Sequence, residues 1–420
     1  MSWPGTVLYD KRDGKFRCWY SGFDAVQTPD RFWKHGYAES EDGIHWVKPS
    51  LGQVEYLDRP TNQMHFDWEG PMSMLICVFI NPAPDAPPSQ RFGALFTERA
   101  PDIGKSPAFR KSLAWSPDGQ HWTRETEAYS AKIQGDMHGD PFQDIYQLLF
   151  QPEAPDPIDR VIGYGQHMAP SWDGKHVRNI GWVHGSDPAH LTNGNPIFSL
   201  KPEKGIDEEV HFASVKRVGG TYLMLFESDR FSHNPIHGNL RLAVSQDGRQ
   251  FRRVHPAKAL VATGTKGMWD ENLLVTSTSA IQEVGDELYI FYFGCPNVYN
   301  SWPPRYAVTS ARRGSMFYPV YLGLATLPRD RYAYAAGPGC MTIRSSAGAS
   351  TLLVNAEGGG LGIEARNLSG GKLASGRLFY EAAGVYRRVA WDTPPTDEPA
   401  DITFTLGKGT KLYSYSFSDK

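Results

Sequence analysis

The chain has 420 residues, 40% hydrophobic and 13% aromatic, enough for a large core and more than one domain. A formal net charge of −3 removes the electrostatic case for a nucleic-acid partner or an anionic membrane surface. Its 42 glycines and 31 prolines, beside 12 Trp, 20 Tyr and 21 Phe, suit an all-β chain with many turns.

In chain order, the first predicted hairpin rises through Thr6-Val7-Leu8-Tyr9-Asp10, turns over Asp13-Gly14 and returns through Lys15 to Gly22. A third strand leads into Ser40-Glu41-Asp42-Gly43-Ile44-His45-Trp46, a tight Asp-Gly turn closed by an aromatic residue. The same box returns as Ser116-Pro117-Asp118-Gly119-Gln120-His121-Trp122 and as Ser245-Gln246-Asp247-Gly248-Arg249-Gln250-Phe251. The copies lie roughly 75 and then roughly twice 65 residues apart, which leaves room for a degenerate one between them. Gly185-Ser186-Asp187-Pro188-Ala189-His190-Leu191 fits that gap. A sheet-sized repeat predicts propeller blades.

The second blade is expected from Met72, the third from Gly139, the fourth from Asp207 and the fifth from Met268. Ser171-Trp172-Asp173-Gly174 lacks the closing aromatic and reads as a hairpin loop. After Gly337-Pro338-Gly339 the pattern changes to short alternating strands split by glycine turns, near 351–356, 361–366, 402–406 and 412–417. The expected fold is all-β: a five-bladed β-propeller over residues 1–337, followed by a small C-terminal β-sandwich over 338–420.

No stretch is long and apolar enough to cross a bilayer as a helix. No secretory signal is visible, because Met1-Ser2-Trp3-Pro4-Gly5 runs straight into a strand; the chain reads as cytoplasmic as it stands, and as secreted or periplasmic if its front is trimmed. Cys18, Cys77, Cys295 and Cys340 are far apart and show no C-x-x-C spacing, so four buried thiols are expected and not a zinc site or a disulfide framework.

With these boxes, the chain resembles the five-bladed propeller glycoside hydrolases, most of all the family 32-like group that carries a C-terminal β-sandwich; families 43, 68, 117 and 130 share the propeller. The residues that carry the likeness are 37–49, Gly285-Asp286-Glu287-Leu288-Tyr289-Ile290-Phe291-Tyr292 and Lys411-Leu412-Tyr413-Ser414-Tyr415-Ser416-Phe417. Sialidases, whose Asp-box has one more residue between Asp and Gly, do not match. The boxes are structural and identify a fold better than a reaction.

Cleaving a glycosidic bond takes two carboxyl groups, one protonated and one ionised. In a propeller these belong where the innermost strands begin, and the acids there are Asp67 and Glu69, Asp140 and Asp144, Glu208 and Glu209, and Asp270 and Glu271. The resemblance implies that Asp144 takes the place of the Asp of an Arg-Asp-Pro motif, which holds sugar hydroxyls, although neither the Arg nor the Pro is present. It implies that Glu209 takes the place of the general acid of a Glu-Cys-Pro motif, with only the Glu kept. The family nucleophile comes from blade one, and this chain has no acid ahead of Thr6. Asp67 and Asp270 are the rival candidates for base or nucleophile.

His211 alternates to the same side as Glu209 and joins the binding candidates with Asp140, Glu271, Trp68 and Trp269, the two indoles as stacking surfaces for a sugar ring. No metal-ligand spacing is present, no cofactor is required, and nothing demands the axial cation that some propeller hydrolases hold. The expected function is hydrolysis of an oligosaccharide or polysaccharide, with a carbohydrate as the partner. The alternatives are a carbohydrate-binding propeller without catalysis, favoured by the missing blade-one acid, and a propeller phosphorylase, for which Arg230, Lys266 and Arg305 are the basic candidates. The oligomeric state is left open.

Overall fold

The computed structural model describes residues 3–23, 33–66, 74–100, 108–125, 135–136, 142–230, 237–256, 258–295, 320–346, 350–378, 385–395 and 398–417. It divides into two compact units, one of residues 1–282 with 290–325, the other of residues 283–289 with 326–420. Among the described residues there is no α-helix.

The first unit is a five-bladed β-propeller. Blade one is built from Trp3–Asp10, Lys15–Phe23, Trp33–Ser40 and the short Gln63–Met64. Blade two is Met74–Ile80, Phe92–Ala100, Ala108–Ser116 and Thr123–Arg124. Blade three is Phe142–Phe150, Val161–Pro170, His176–Gly185 and Leu191–Leu200. Blade four is Glu209–Val218, Thr221–Arg230, His237–Ser245 and Arg252–Arg253. Blade five starts with Leu273–Val284, followed by Glu287–Cys295 and Tyr321–Pro328; its residues 283–289 and 326–328 are counted in the second unit. Successive strands within blades one to four pair antiparallel, as the alternating apolar pattern requires.

Five contacts between inner strands close the ring. The Val78 amide donates to Thr6 Oγ1 at 2.9 Å, and Thr6 Oγ1 meets Thr278 Oγ1 at 2.5 Å. The Ala280 amide donates to Ser214 Oγ at 2.8 Å. Gln147 holds Val215 twice: its Nε2 donates to the Val215 carbonyl and its Oε1 accepts from the Val215 amide, both at 2.7 Å. Phe79 and Phe150 join blades two and three with ring centroids 5.1 Å apart. Backbone groups this deep have no water to turn to, so short hydroxyl and amide side chains take its place.

The Asp-Gly boxes follow the third strand of blades one, two and four, so they stand at the end of each blade opposite the start of its inner strand. Each repeats one bonding scheme. Asp42 Oδ1 accepts from the amides of Ile44 and His45, Asp118 Oδ1 from Gln120 and His121, and Asp247 Oδ1 from Arg249 and Gln250. Ser40, Ser116 and Ser245 each accept from the Gly amide three residues on. The degenerate copy in blade three does the same with Asp187, which accepts from Ala189 and His190. The turn is a socket for the neighbouring blade. Trp19 Nε1 donates to the Gly119 carbonyl at 2.6 Å, and Tyr164 Oη donates to the Gly248 carbonyl at 2.7 Å. A Cβ on Gly119, whose φ is +80°, would stand 2.7 Å from the Trp19 ring.

The hydrophobic clusters lie between blades, not within them. One joins Trp19 and Tyr37 to Phe92 and Trp122, a second joins Cys77 and Phe79 to Leu148 and Val183, and a third joins Tyr164 and Trp182 to Phe212, Phe226 and Phe293. Burial drives the sheets to pack face to face around the ring.

In the second unit the sheet order runs through 335–336, Lys411–Phe417, Leu352–Glu357, Arg387–Trp391, Lys372–Leu378, Leu361–Asn367, Ala400–Leu406 and Gly339–Ser345. Leu352, Val354 and Leu412 from one half share a core with Ile363, Ile402 and Phe404 from the other, so the halves fold face to face as a small β-sandwich. Cys18 and Cys77 are buried, as expected; Cys340 is not, because it lies on the solvent side of the edge strand Gly339–Ser345.

Candidate active site on blade four

The first hairpin of blade four turns at Gly219-Gly220, with Gly219 at a φ of +56°. It runs almost entirely buried: Val210, Phe212, Ala213 and Val215 on one strand meet Tyr222, Met224, Leu225 and Phe226 on the other. Four polar residues interrupt this core at the end away from the turn. Glu209 is the ladder partner of Asp229, and His211 is the partner of Glu227. Residues two apart share a face, so the four side chains sit together. The ladder slips by one residue between His211 and Ala213, where Phe212 holds a φ of +34°, a left-handed backbone rare for a bulky residue. The bulge separates the polar end of the inner strand from its apolar run.

Blade three covers this face. Arg178, from the strand His176–Gly185, donates through Nη1 to Glu209 Oε1 at 2.5 Å. Gln166 Oε1 lies 3.0 Å from His211 Nε2, and His211 Nδ1 lies 3.9 Å from Glu227 Oε2. Glu209 is 7% exposed, Asp229 3%, His211 2% and Glu227 1%.

Burial at this depth penalises charge and decides where protons sit. Glu227 is pushed well above the ordinary carboxyl range by burial, then by the neighbouring negative charges of Asp229 and Glu209, with Arg178 pulling the other way. Asp229 is also pushed well up, by burial first and by the Glu209 charge next. The carboxyls of Glu227 and Asp229 are hydrogen-bond neighbours, and Glu227 Oε2 and Asp229 Oδ1 meet no donor among the described residues. Two carboxyls in contact without a cation between them hold a proton between them. His211 is pushed well below its usual value by burial and by the Arg178 charge, so it is neutral at physiological pH. Beside the cluster, Asp207 accepts from Arg253 Nη2 at 2.8 and 3.1 Å and from Ser228 Oγ at 3.2 Å, which braces the approach to Glu209.

The structure thus brings together Glu209 and His211 from the sequence candidates and adds Glu227, Asp229 and Arg178, which the sequence reading passed over. The available signal was Glu227-Ser228-Asp229, two acids at alternate positions closing an otherwise apolar strand. Asp270 goes elsewhere: it accepts from Tyr292 Oη at 3.2 Å and packs on Gly264, all in or leading to blade five. Trp269 stacks on Tyr292 at 5.7 Å and 16°, and lies against Gly294 and Gly323, so its ring is packing within blade five. Glu271 closes its own turn by accepting from the Gly267 amide. Asp144 lies in the strand Phe142–Phe150, with its side chain outside the described residues; Asp67, Trp68 and Asp140 also lie outside them. Of the basic candidates for phosphate, Arg230 is engaged by the carbonyls of Ile206 and Gly205, Lys266 sits in an exposed turn, and Arg305 lies outside the described residues.

No family model matches the chain, and no curated protein matches it. Among solved structures it is similar to a glycoside hydrolase at 14% identity, over 77% of this chain and 86% of that one, with a TM-score of 0.48. It is similar to a thermostable family-43 glycoside hydrolase at 15% identity, over 70% and 84%, with a TM-score of 0.46. It is also similar to a fructofuranosidase from Schwanniomyces occidentalis, solved with fructosylnystose, at 11% identity, over 98% and 93%, with a TM-score of 0.46.

Proposed function

We propose that the chain is a glycoside hydrolase acting on an oligosaccharide or polysaccharide, with its chemistry centred on the first hairpin of blade four. The observation that carries this is a buried, proton-sharing carboxyl pair set beside a third carboxyl that an arginine holds. Glu209 is bonded by the Arg178 guanidinium at 2.5 Å; Glu227 and Asp229 retain a proton through burial and each other's charge. A protonated donor beside an ionised carboxylate is what glycoside cleavage asks of a site.

The sequence expectation places the proton on Glu209. The ion pair of Glu209 with Arg178, and the proton held by the Glu227–Asp229 pair, lead us to read Glu209 as the base or nucleophile and that pair as the general acid. Neutral His211, held by Gln166, packs beside Glu227 with its Nδ1 3.9 Å from Oε2. Asp144 remains the candidate for orienting sugar hydroxyls, on the family resemblance.

The second reading is a carbohydrate-binding propeller without turnover, favoured by the burial of Glu227 and Asp229 to 1% and 3% exposure. One experiment separates these readings from phosphorolysis: release of reducing ends from a panel of neutral oligosaccharides, with and without inorganic phosphate, alongside direct binding to the same panel. Phosphate-independent release supports the hydrolase; binding without release supports the second reading; release only with phosphate overturns both.

A further inference from the structure

Trp172 is exposed to 47%, and no other tryptophan whose side chain is described is exposed. Trp19 is in the core, Trp182 is capped by Arg249 at 4.8 Å from its ring, and Trp269 is stacked on Tyr292. Among the described residues no ring or cation covers Trp172. Single exposed hydrophobic side chains are common, so exposure alone assigns no role; its placement is what distinguishes Trp172.

Its position is tied to the carboxyl cluster from two sides. The indole Nε1 donates to the Asp207 carbonyl at 3.4 Å, two residues ahead of Glu209. The hairpin that carries Trp172 continues into His176–Gly185, from which Arg178 grips Glu209. The loop between is tight: Gly174 has a φ of +80°, and its amide donates to the Ser171 carbonyl at 3.0 Å. The ring edge is therefore anchored on blade four while the ring itself is left open. Polar groups flank its attachment points in the chain: Lys175 pairs with Asp173 at 2.7 Å, and the charge of Glu208, next to Asp207, acts on Lys175.

We propose that Trp172 is the platform on which a sugar ring of the substrate stacks beside Glu209. This rests on the hydrolase reading above and adds to it where the substrate is held. An open indole face takes the C–H face of a neutral sugar, and the flanking Asp173, Lys175 and Glu208 take its hydroxyls; the arrangement favours a carbohydrate over a purely apolar ligand.

The test uses the full chain and a panel of cello-, xylo-, manno-, arabino- and fructo-oligosaccharides. Trp172→Ala should raise KM and the dissociation constant about tenfold or more, with kcat within about twofold, and Trp172→Phe should recover most of the loss. Indole fluorescence of the parent should change on saturation, and that change should be absent in Trp172→Ala. A Trp172→Ala variant that binds and turns over like the parent overturns the platform and leaves the hydrolase standing. A parent that binds a glycan without cleaving it, and loses binding in Trp172→Ala, keeps the platform and overturns the hydrolase. A parent that binds none of the panel, or a variant that loses kcat at unchanged KM, overturns the platform.

Discussion

Asp229 stands directly across the ladder from Glu209, and the two carboxyls feel each other's charge under the cover of Arg178. On the proposed reading the pair would supply an acid and a base from adjacent strands of one hairpin, where geometry is held by the sheet and not by a loop.

If the buried pair donates the proton, Glu227→Gln should lower kcat by about a hundredfold or more while leaving KM close to the parent value. Glu209→Gln should lower kcat as strongly, because it removes the carboxyl that Arg178 holds. Steady-state kinetics on the best substrate, with circular dichroism to confirm folding, checks both. A Glu227→Gln variant at full rate excludes it as part of the acid.

The same carboxyls make stability depend on pH. Their folded values are raised, so above the ordinary carboxyl range of about 4 the unfolded chain releases protons that the folded chain keeps. Stability therefore falls as pH rises from about 4 toward the raised values. His211 acts in the other sense: held neutral when folded, it lowers stability as pH falls below about 6.5, where the unfolded histidine takes up a proton. The Glu227→Gln, Asp229→Asn double variant removes only the carboxyl contribution. It should show a smaller fall in Tm between about pH 5 and pH 8 than the parent, by scanning calorimetry.

Two glycines separate backbone strain from packing. Gly119 and Gly174 have the same φ of +80°, but a Cβ on Gly119 meets the Trp19 ring and one on Gly174 meets nothing within 4 Å. Gly174→Ala should cost about 1 kcal/mol from the left-handed backbone alone. Gly119→Ala should cost about 1–3 kcal/mol more, because Trp19 must leave its socket. Equal losses in chemical denaturation would contradict the socket.

Ring closure can be probed at Gln147. Gln147→Leu keeps the volume but strands the amide and carbonyl of Val215, both buried, and should cost about 2 kcal/mol or more. Gln147→Glu, which retains the acceptor, should cost less below about pH 4, where its carboxyl is protonated and can also donate. Urea titrations at two pH values read the difference.

The box turns were legible because their chemistry is local. Ser40, Asp42 and Gly43 bond within five residues of chain, so sequence order alone dictates the shape, and the repeat of that shape at Asp118, Asp187 and Asp247 dictates blades. The start of blade four was legible to within two residues: the sequence pattern places it at Asp207, and the inner strand begins at Glu209. The proton-sharing cluster was not. Glu227 and Asp229 lie far from Glu209 in sequence, and their meeting depends on the hairpin register, on the one-residue slip at Phe212, and on a strand of the preceding blade that delivers Arg178. Trp269 and Trp172 divide in the same way. Both are aromatic residues beside a blade entrance, and composition treats them alike. Tertiary packing lays one across Gly294 and Gly323 and leaves the other open to solvent, because burial depends on which surfaces arrive from elsewhere in the chain, and no local pattern encodes that.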